Sequence, residues 1–316
     1  MFALSHKSKK KLLLALKLFI LTITFWYVYL KLTHNNAINF NDFSNRFYNN
    51  NIIFLILGFL LLAASNWFLE ILKWKAIISE IQNISFLTAM KQSLASLTVS
   101  LATPNRIGEY GAKAYFFEKA KRKNILLLNF FHNSFQMAVT VVFGVLGLWF
   151  VLNEYELPIS FSKLVFGIFT LGFFVLLGFL LKKQPLVLKG LTISKVILKF
   201  KNISITIRGK LVLFSVLRYF IFCYLFYSLL MFFGVSISLV QAIPLIFSMY
   251  LLVSIVPTIF IFDVVVRGGV AVWLFSLAGV SELSVLSTVL SMWLLNFVIP
   301  SLFGSYYLLT YQPESA

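Results

Sequence analysis

Six predominantly apolar stretches recur along the chain, at 12–30, 52–72, 125–152, 159–181, 211–233 and 284–309. Each supplies about the 20 residues that an α-helix needs to cross a hydrocarbon core, so each predicts a membrane span. Two other apolar regions are broken. Residues 84–102 and 107–117 flank Pro104, and residues 236–256 and 263–280 flank Pro257. At about 1.5 Å per residue the segment 107–117 reaches only about 16 Å, too short to span. It predicts the returning arm of a re-entrant helical hairpin, and the region around Pro257 predicts a second.

Charge between the apolar runs orients them. Four lysines in 1–11, Lys73 and Lys75, the cluster Lys119, Lys121, Arg122 and Lys123, and eight Lys or Arg without an acid in 182–210 read as cytoplasmic. The Asn-rich loop 33–51 and the loop 153–158, with Glu154 and Glu156 and no cation, read as external. Lys75 and Lys119 on the same side require an even number of crossings between them, which a hairpin satisfies. The repeats 12–152 and 159–309 then each read span, span, hairpin, span, entered from opposite faces. The expected fold class is an all-α polytopic membrane protein. It is one membrane domain of about six full spans plus two re-entrant hairpins, arranged as an inverted-topology repeat of the kind secondary transporters use. Both termini are expected in the cytoplasm and the protein in the plasma membrane.

Composition agrees. The 316 residues are 60% hydrophobic and 12% charged, against about 25% charged in soluble domains. A net charge of +17 placed in loops implies contact with anionic lipid headgroups rather than nucleic acid. The lone Cys223 excludes an internal disulfide and a thiolate metal site. Within 182–210, Ile193, Val196, Ile197 and Phe200 recur at helical spacing, which suggests an interfacial helix lying on anionic lipid or a solvated basic linker.

The candidate site starts at TPNRIGEYGAKAYFF, residues 103–117, where Arg106, Glu109 and Lys113 interrupt apolar sequence. A cation at bilayer depth costs roughly 2.5–3.5 kcal/mol on insertion scales, so such charges usually face a cavity, a partner or a substrate. Asn66, Glu70 and Lys73 share one helical face, with Trp67 and Trp74 on a neighbouring stripe that reads as interfacial anchoring. Asn129, His132, Asn133 and Gln136 line another face and are expected to satisfy free backbone groups of the first hairpin. Arg218 either snorkels to the inner headgroups or faces a cavity. Asp263 and Arg267 stand at i, i+4 and should pair. His132, the one histidine in a membrane segment, makes no metal site on its own, and no Walker-type loop or cofactor motif is present.

The run TPNRIGEYGAKAYFF resembles the Pro-x-Arg-x-Gly-Glu signature of the membrane region of the lysylphosphatidylglycerol synthase/flippase family, and the resemblance extends over nearly the whole chain. VPTIFIFDVVVRGGVAVWLFSLAGV falls where that family has its second cluster, although the acid stands four residues before Arg267 instead of after the glycines. The resemblance implies a flippase-like membrane domain handling phospholipids or other lipid-linked anions, with Arg106, Glu109, Arg218 and Arg267 at matching positions. Only QPESA follows Tyr311, so no soluble aminoacyl-transferase domain and no synthase activity is expected. The expected partners are membrane lipids with anionic headgroups and, if the chain is a scaffold rather than a transporter, a separate lipid-modifying enzyme. An intramembrane enzyme acting on a lipid phosphate through Glu109 or Asp263 is the third reading.

Overall fold

The broken and unbroken apolar runs form helices of two corresponding kinds in the computed structural model, which describes residues 51–101, 103, 106–155, 193–256 and 260–310. In chain order these are α1 (Ile52–Ile78), α2 (Phe86–Leu101), α3 (Gly108–Tyr115), α4 (Arg122–Glu154), α5 (Ile193–Asn202), α6 (Ile205–Phe232), α7 (Leu239–Ile255), α8 (Phe260–Ser276), α9 (Glu282–Trp293) and α10 (Ile299–Leu309). No strand occurs among the described residues. Four helical stretches there are long and apolar enough to cross a membrane: α1, α4, α6 and the run Glu282–Leu309 formed by α9 and α10. They match the spans expected at 52–72, 125–152, 211–233 and 284–309. Those expected at 12–30 and 159–181 lie outside the described residues.

α1 continues past residue 72 because Lys73 is matched by Glu70 one turn earlier, Nζ to Oε2 3.2 Å, and because Trp74, Ile77 and Ile78 are buried. The chain then breaks between two short helices, as the sequence around Pro104 predicts. Thr103 bridges the break: its hydroxyl donates to the Ser100 carbonyl at 2.9 Å and accepts from the Gly108 N–H at 2.8 Å. Arg106 in this turn has φ 58°, a left-handed conformation that costs a non-glycine residue about 1–2 kcal/mol.

The last span is irregular for an identifiable reason. Pro300 has no N–H to donate to the carbonyl of Asn296, four residues back, and the chain passes through a π-helical turn at Leu294–Val298. That carbonyl accepts the indole N–H of Trp67 at 3.0 Å instead.

α1 packs along α6, α4 along α7, and α10 along α2, while α3 lies against α2 and α4, and α8 against α7 and α9. Glycines allow two of these crossings to close. A Cβ added at Gly144 or Gly147 on α4 would lie 2.4 Å from Leu251 Cβ or 2.6 Å from Phe247 Cβ on α7. At Gly304 on α10 it would lie 2.1 Å from the Leu94 carbonyl oxygen on α2. The Thr98 hydroxyl donates across the same crossing to the Ser301 carbonyl at 2.9 Å.

The segment 193–202 is a helix, but not one that simply rests on lipid. Val196 and Phe200 pack inward, and the Phe200 ring lies 5.3 Å from Phe131 and 6.1 Å from Phe135 on α4. Ile197 and Leu198 remain exposed. Immediately after α5, the Ser204 backbone N–H donates to the Glu80 carboxylate at 3.0 Å and the Ser204 hydroxyl caps α6.

Candidate functional site

Polar residues that interrupt α1, α3, α4 and α6 converge in one buried group. Glu70 is its centre. Its Oε2 pairs with Arg218 of α6 and with Lys73 of α1, and its Oε1 faces His132 Nε2 of α4 at 3.5 Å. Lys113 of α3 reaches Glu109 Oε1 at 2.7 Å and Asn129 Oδ1 at 3.0 Å, and its ammonium lies 4.4 Å from the centre of the Trp74 ring. Gln136 accepts from Lys73 at 3.3 Å and from Arg218 at 3.4 Å, and donates to the Ser215 carbonyl at 3.4 Å. Glu70, Lys73, Glu109, Lys113, Asn129 and His132 are all buried, and Lys73 and Lys113 are among the largest side chains with almost no exposure.

The group also ties early helices to late ones. Arg218 Nε donates to Asn66 Oδ1 at 3.0 Å, Asn66 Nδ2 donates to Asn296 Oδ1 at 2.9 Å, and Asn296 Nδ2 returns to the Met292 carbonyl at 3.1 Å. Arg106 stands at the edge, exposed, with Nε 3.4 Å from the Ser100 hydroxyl and its guanidinium 5.2 Å from the centre of the Phe297 ring.

Of the residues singled out in the sequence, Glu109, Lys113, Arg218, Asn66, Glu70, Asn129, His132 and Gln136 meet here. Asn133 adjoins through His132, its Oδ1 3.1 Å from Nδ1. Asp263 and Arg267 do pair, at 3.2 and 3.1 Å to the two carboxylate oxygens. Arg267 lies over Tyr250 of α7, 6.0 Å from the ring centre, whereas Arg218 serves Asn66, Glu70 and Gln136. The two arginines thus belong to different polar groups.

Two expectations need correction. Trp67 and Trp74 are not interfacial anchors: Trp74 is fully buried and donates to Gln92 Oε1 at 2.9 Å, and Trp67 donates to the carbonyl that Pro300 releases. Among the described residues, Asn129, His132 and Gln136 serve charged side chains rather than the free backbone of the hairpin, because two carboxylates and three cations need partners more than a turn already bridged by Thr103 does. Of the two readings of Arg218, its partners Glu70 and Asn66 favour the inward-facing one. The structure adds Trp74, Gln92 and Asn296 to the site, and Lys73, on the face that spacing gives Asn66 and Glu70, stands at its centre.

Chemically the group is cationic: Lys73, Lys113 and Arg218 against Glu70 and Glu109, three minus two, one positive charge with His132 neutral. Glu70, Glu109 and His132 do bring one donor atom each within 4.8 Å of one another. Both carboxylates are already held by Lys or Arg, so a metal ion would enter against an existing surplus of positive charge, and the arrangement suits an anion better. Asn129 Nδ2 is a buried donor without a partner among the described residues, which an anionic oxygen would satisfy.

Neither a curated protein nor a solved structure matches the chain. The family model described as the lysylphosphatidylglycerol synthase TM region matches residues 14–304. With its apolar helices and this match, the chain is an integral membrane protein related to lipid modification and belongs to the lysylphosphatidylglycerol synthase membrane-region family.

Proposed function

We propose that the protein is flippase-like, binding a phospholipid or other lipid-linked anion and moving it between leaflets without itself catalysing lipid synthesis. The observation that carries the reading is the buried group in which three cations surround two carboxylates. A surplus charge in a low-dielectric interior is costly unless an opposite charge can approach. A phosphate ester supplies that charge, and a guanidinium binds it by forked hydrogen bonds. Exposed Arg106 at the edge of the group is placed to meet such a headgroup first.

The helix packing supports an inverted repeat. Exchanging the halves maps the α4–α7 contact onto α10–α2 and the α1–α6 contact onto itself, as a two-fold relation requires. In this reading α2–α3 and α7–α8 are the re-entrant hairpins, and loop charge puts both termini on the cytoplasmic side of the plasma membrane.

Binding fits the resting geometry better than acid–base catalysis does, because Glu70 and Glu109 are each engaged by cations and neither is poised as a free base. A scaffold reading, in which the protein serves a separate lipid-modifying enzyme, draws on exposed Ile197, Leu198 and Lys201 on α5.

Reconstitution decides among these. The purified protein in liposomes containing a headgroup-intact, fluorescent-tailed phosphatidylglycerol should render inner-leaflet label accessible to external dithionite. Arg218→Gln and Arg106→Ala should slow this by about tenfold or more, the loss of one charge-assisted hydrogen bond. A scaffold gives no movement, and an enzyme gives a chemically altered lipid.

A further inference from the structure

His132 stands where the polar group is incomplete. Its ring is fully buried, edge-on to Trp74 with centroids 5.9 Å apart. Nδ1 lies 3.1 Å from the amide oxygen of Asn133, which only accepts, so Nδ1 carries the hydrogen. A neutral ring then presents a bare lone pair at Nε2. That atom is buried without a hydrogen-bond partner among the described residues and faces Glu70 Oε1 at 3.5 Å. Two acceptors opposed in a buried site repel each other, and one proton between them converts the contact into a charge-assisted hydrogen bond.

We infer that His132 Nε2 and Glu70 Oε1 form a proton-binding site whose occupancy is coupled to binding of a phosphate-bearing anion by the same group. The inference rests on the anion-binding reading above and adds to it the ion that moves with the cargo.

The charges around the ring set the direction of coupling. Facing His132 are Glu70 and Lys73 from α1, Glu109 and Lys113 from α3, and Arg218 from α6 through Glu70. Its own helix contributes the uncharged Asn129 and Asn133. With a neutral ring these five ionised groups sum to +1, three minus two, and protonation alone raises the sum to +2, which burial resists. A monoanionic phosphodiester lowers the sum to zero, and the proton restores it only to +1. The proton comes from water to Nε2, and the imidazolium then donates to Glu70 Oε1. By linkage, the proton strengthens anion binding by the same factor that the anion strengthens proton binding.

Calorimetry on the full-length protein in maltoside micelles tests this, titrating dihexanoylphosphatidylglycerol near pH 7 in buffers of differing ionisation enthalpy. Wild type should take up close to one proton per lipid bound and bind more weakly as pH rises. His132→Gln should bind with little uptake and a flat pH dependence. Glycerophosphoglycerol, the same monoanionic diester without acyl chains, runs in parallel: uptake with both probes assigns the coupling to the phosphate diester, and uptake with the lipid alone assigns it to a membrane headgroup. Lipid binding without uptake by wild type, or uptake retained by His132→Gln, overturns the proton site and leaves the anion reading standing. No binding of either probe overturns both. Nitrogen NMR of wild-type protein labelled at its three histidines gives a readout independent of any variant's folding. The Nε2 resonance of His132 should move from the bare to the protonated range on adding lipid, and an unchanged resonance with lipid bound overturns the proposal.

Discussion

Removing Glu70 should cost more than removing Arg218, although the two are ionic partners. In the wild-type group Lys73, Lys113 and Arg218 oppose Glu70 and Glu109. Arg218→Gln leaves two cations against two carboxylates, a sum of zero, and Lys73 still holds Glu70 at 3.2 Å. Glu70→Gln leaves three cations against one carboxylate, a sum of +2, with fully buried Lys73 left to the Gln136 oxygen at 3.3 Å. Stranding a buried charge costs about 3–5 kcal/mol. The Arg218 side chain is 20% exposed, and losing its hydrogen bonds should cost nearer 1–2 kcal/mol. Cys223, the one cysteine, is buried, so a fluorogenic maleimide reports unfolding without any engineered label. At roughly 2–4 °C per kcal/mol, Glu70→Gln should melt about 6 °C or more below wild type in detergent, and Arg218→Gln only a few degrees below. Combining both substitutions restores the sum to +1, two minus one, and should recover part of the loss. Equal melting temperatures for the two single variants, or the reverse order, would refute the surplus of positive charge on which the functional reading stands.

Three further outcomes follow from the geometry. Gly304→Ala drives a methyl into the Leu94 carbonyl and should cost about 1–3 kcal/mol by overpacking, whereas Gly58→Ala, with nothing within 4 Å, should be neutral or stabilising in the same melting assay. Asp263→Asn should destabilise by about 1–3 kcal/mol by weakening the partner of Arg267, and adding Arg267→Gln should restore most of that stability; a double variant no better than the single one argues against the pair as a structural unit. Cysteine at exposed Asn153 should react with an impermeant maleimide from outside intact cells and cysteine at exposed Asn202 should not; labelling at Asn202 overturns the assigned orientation.

The fold was legible in the sequence where hydrophobic length decides it. Runs of about 20 apolar residues mark α1, α4, α6 and α9–α10, and the chain does break into two short helices around Pro104, because length and proline placement are local properties. The site was legible as a set of residues but not as an arrangement. Spacing put Asn66, Glu70 and Lys73 on one face and Asn129, His132, Asn133 and Gln136 on another, yet no local pattern says that Arg218, 148 residues after Glu70, completes the first. The tryptophans misled for a similar reason. A Trp near a helix end and a lysine reads as an interface anchor, and only the arrival of Gln92 and the Asn296 carbonyl shows each indole N–H satisfied indoors.

The irregular last span belongs to the site rather than to its surroundings. A straight helix at Asn296 would use the backbone carbonyl for its own ladder, leaving the half-buried Trp67 N–H without its partner at 3.0 Å. Pro300 removes the competing donor. The Asn296 side chain at the same break accepts from Asn66, whose oxygen in turn accepts from Arg218, so one missing N–H in the last span helps to fix the orientation of the guanidinium on Glu70. The two glycine crossings hold the same helices from their other sides: α10 closes on α2 at Gly304, and α4 closes on α7 at Gly144 and Gly147. Any shift of α10 along α2 therefore acts through Asn296 on Asn66 and Arg218. The charge group and the helix packing are parts of one mechanical unit, and an anion that draws Arg218 off Glu70 must work against that packing as well as against the ion pair.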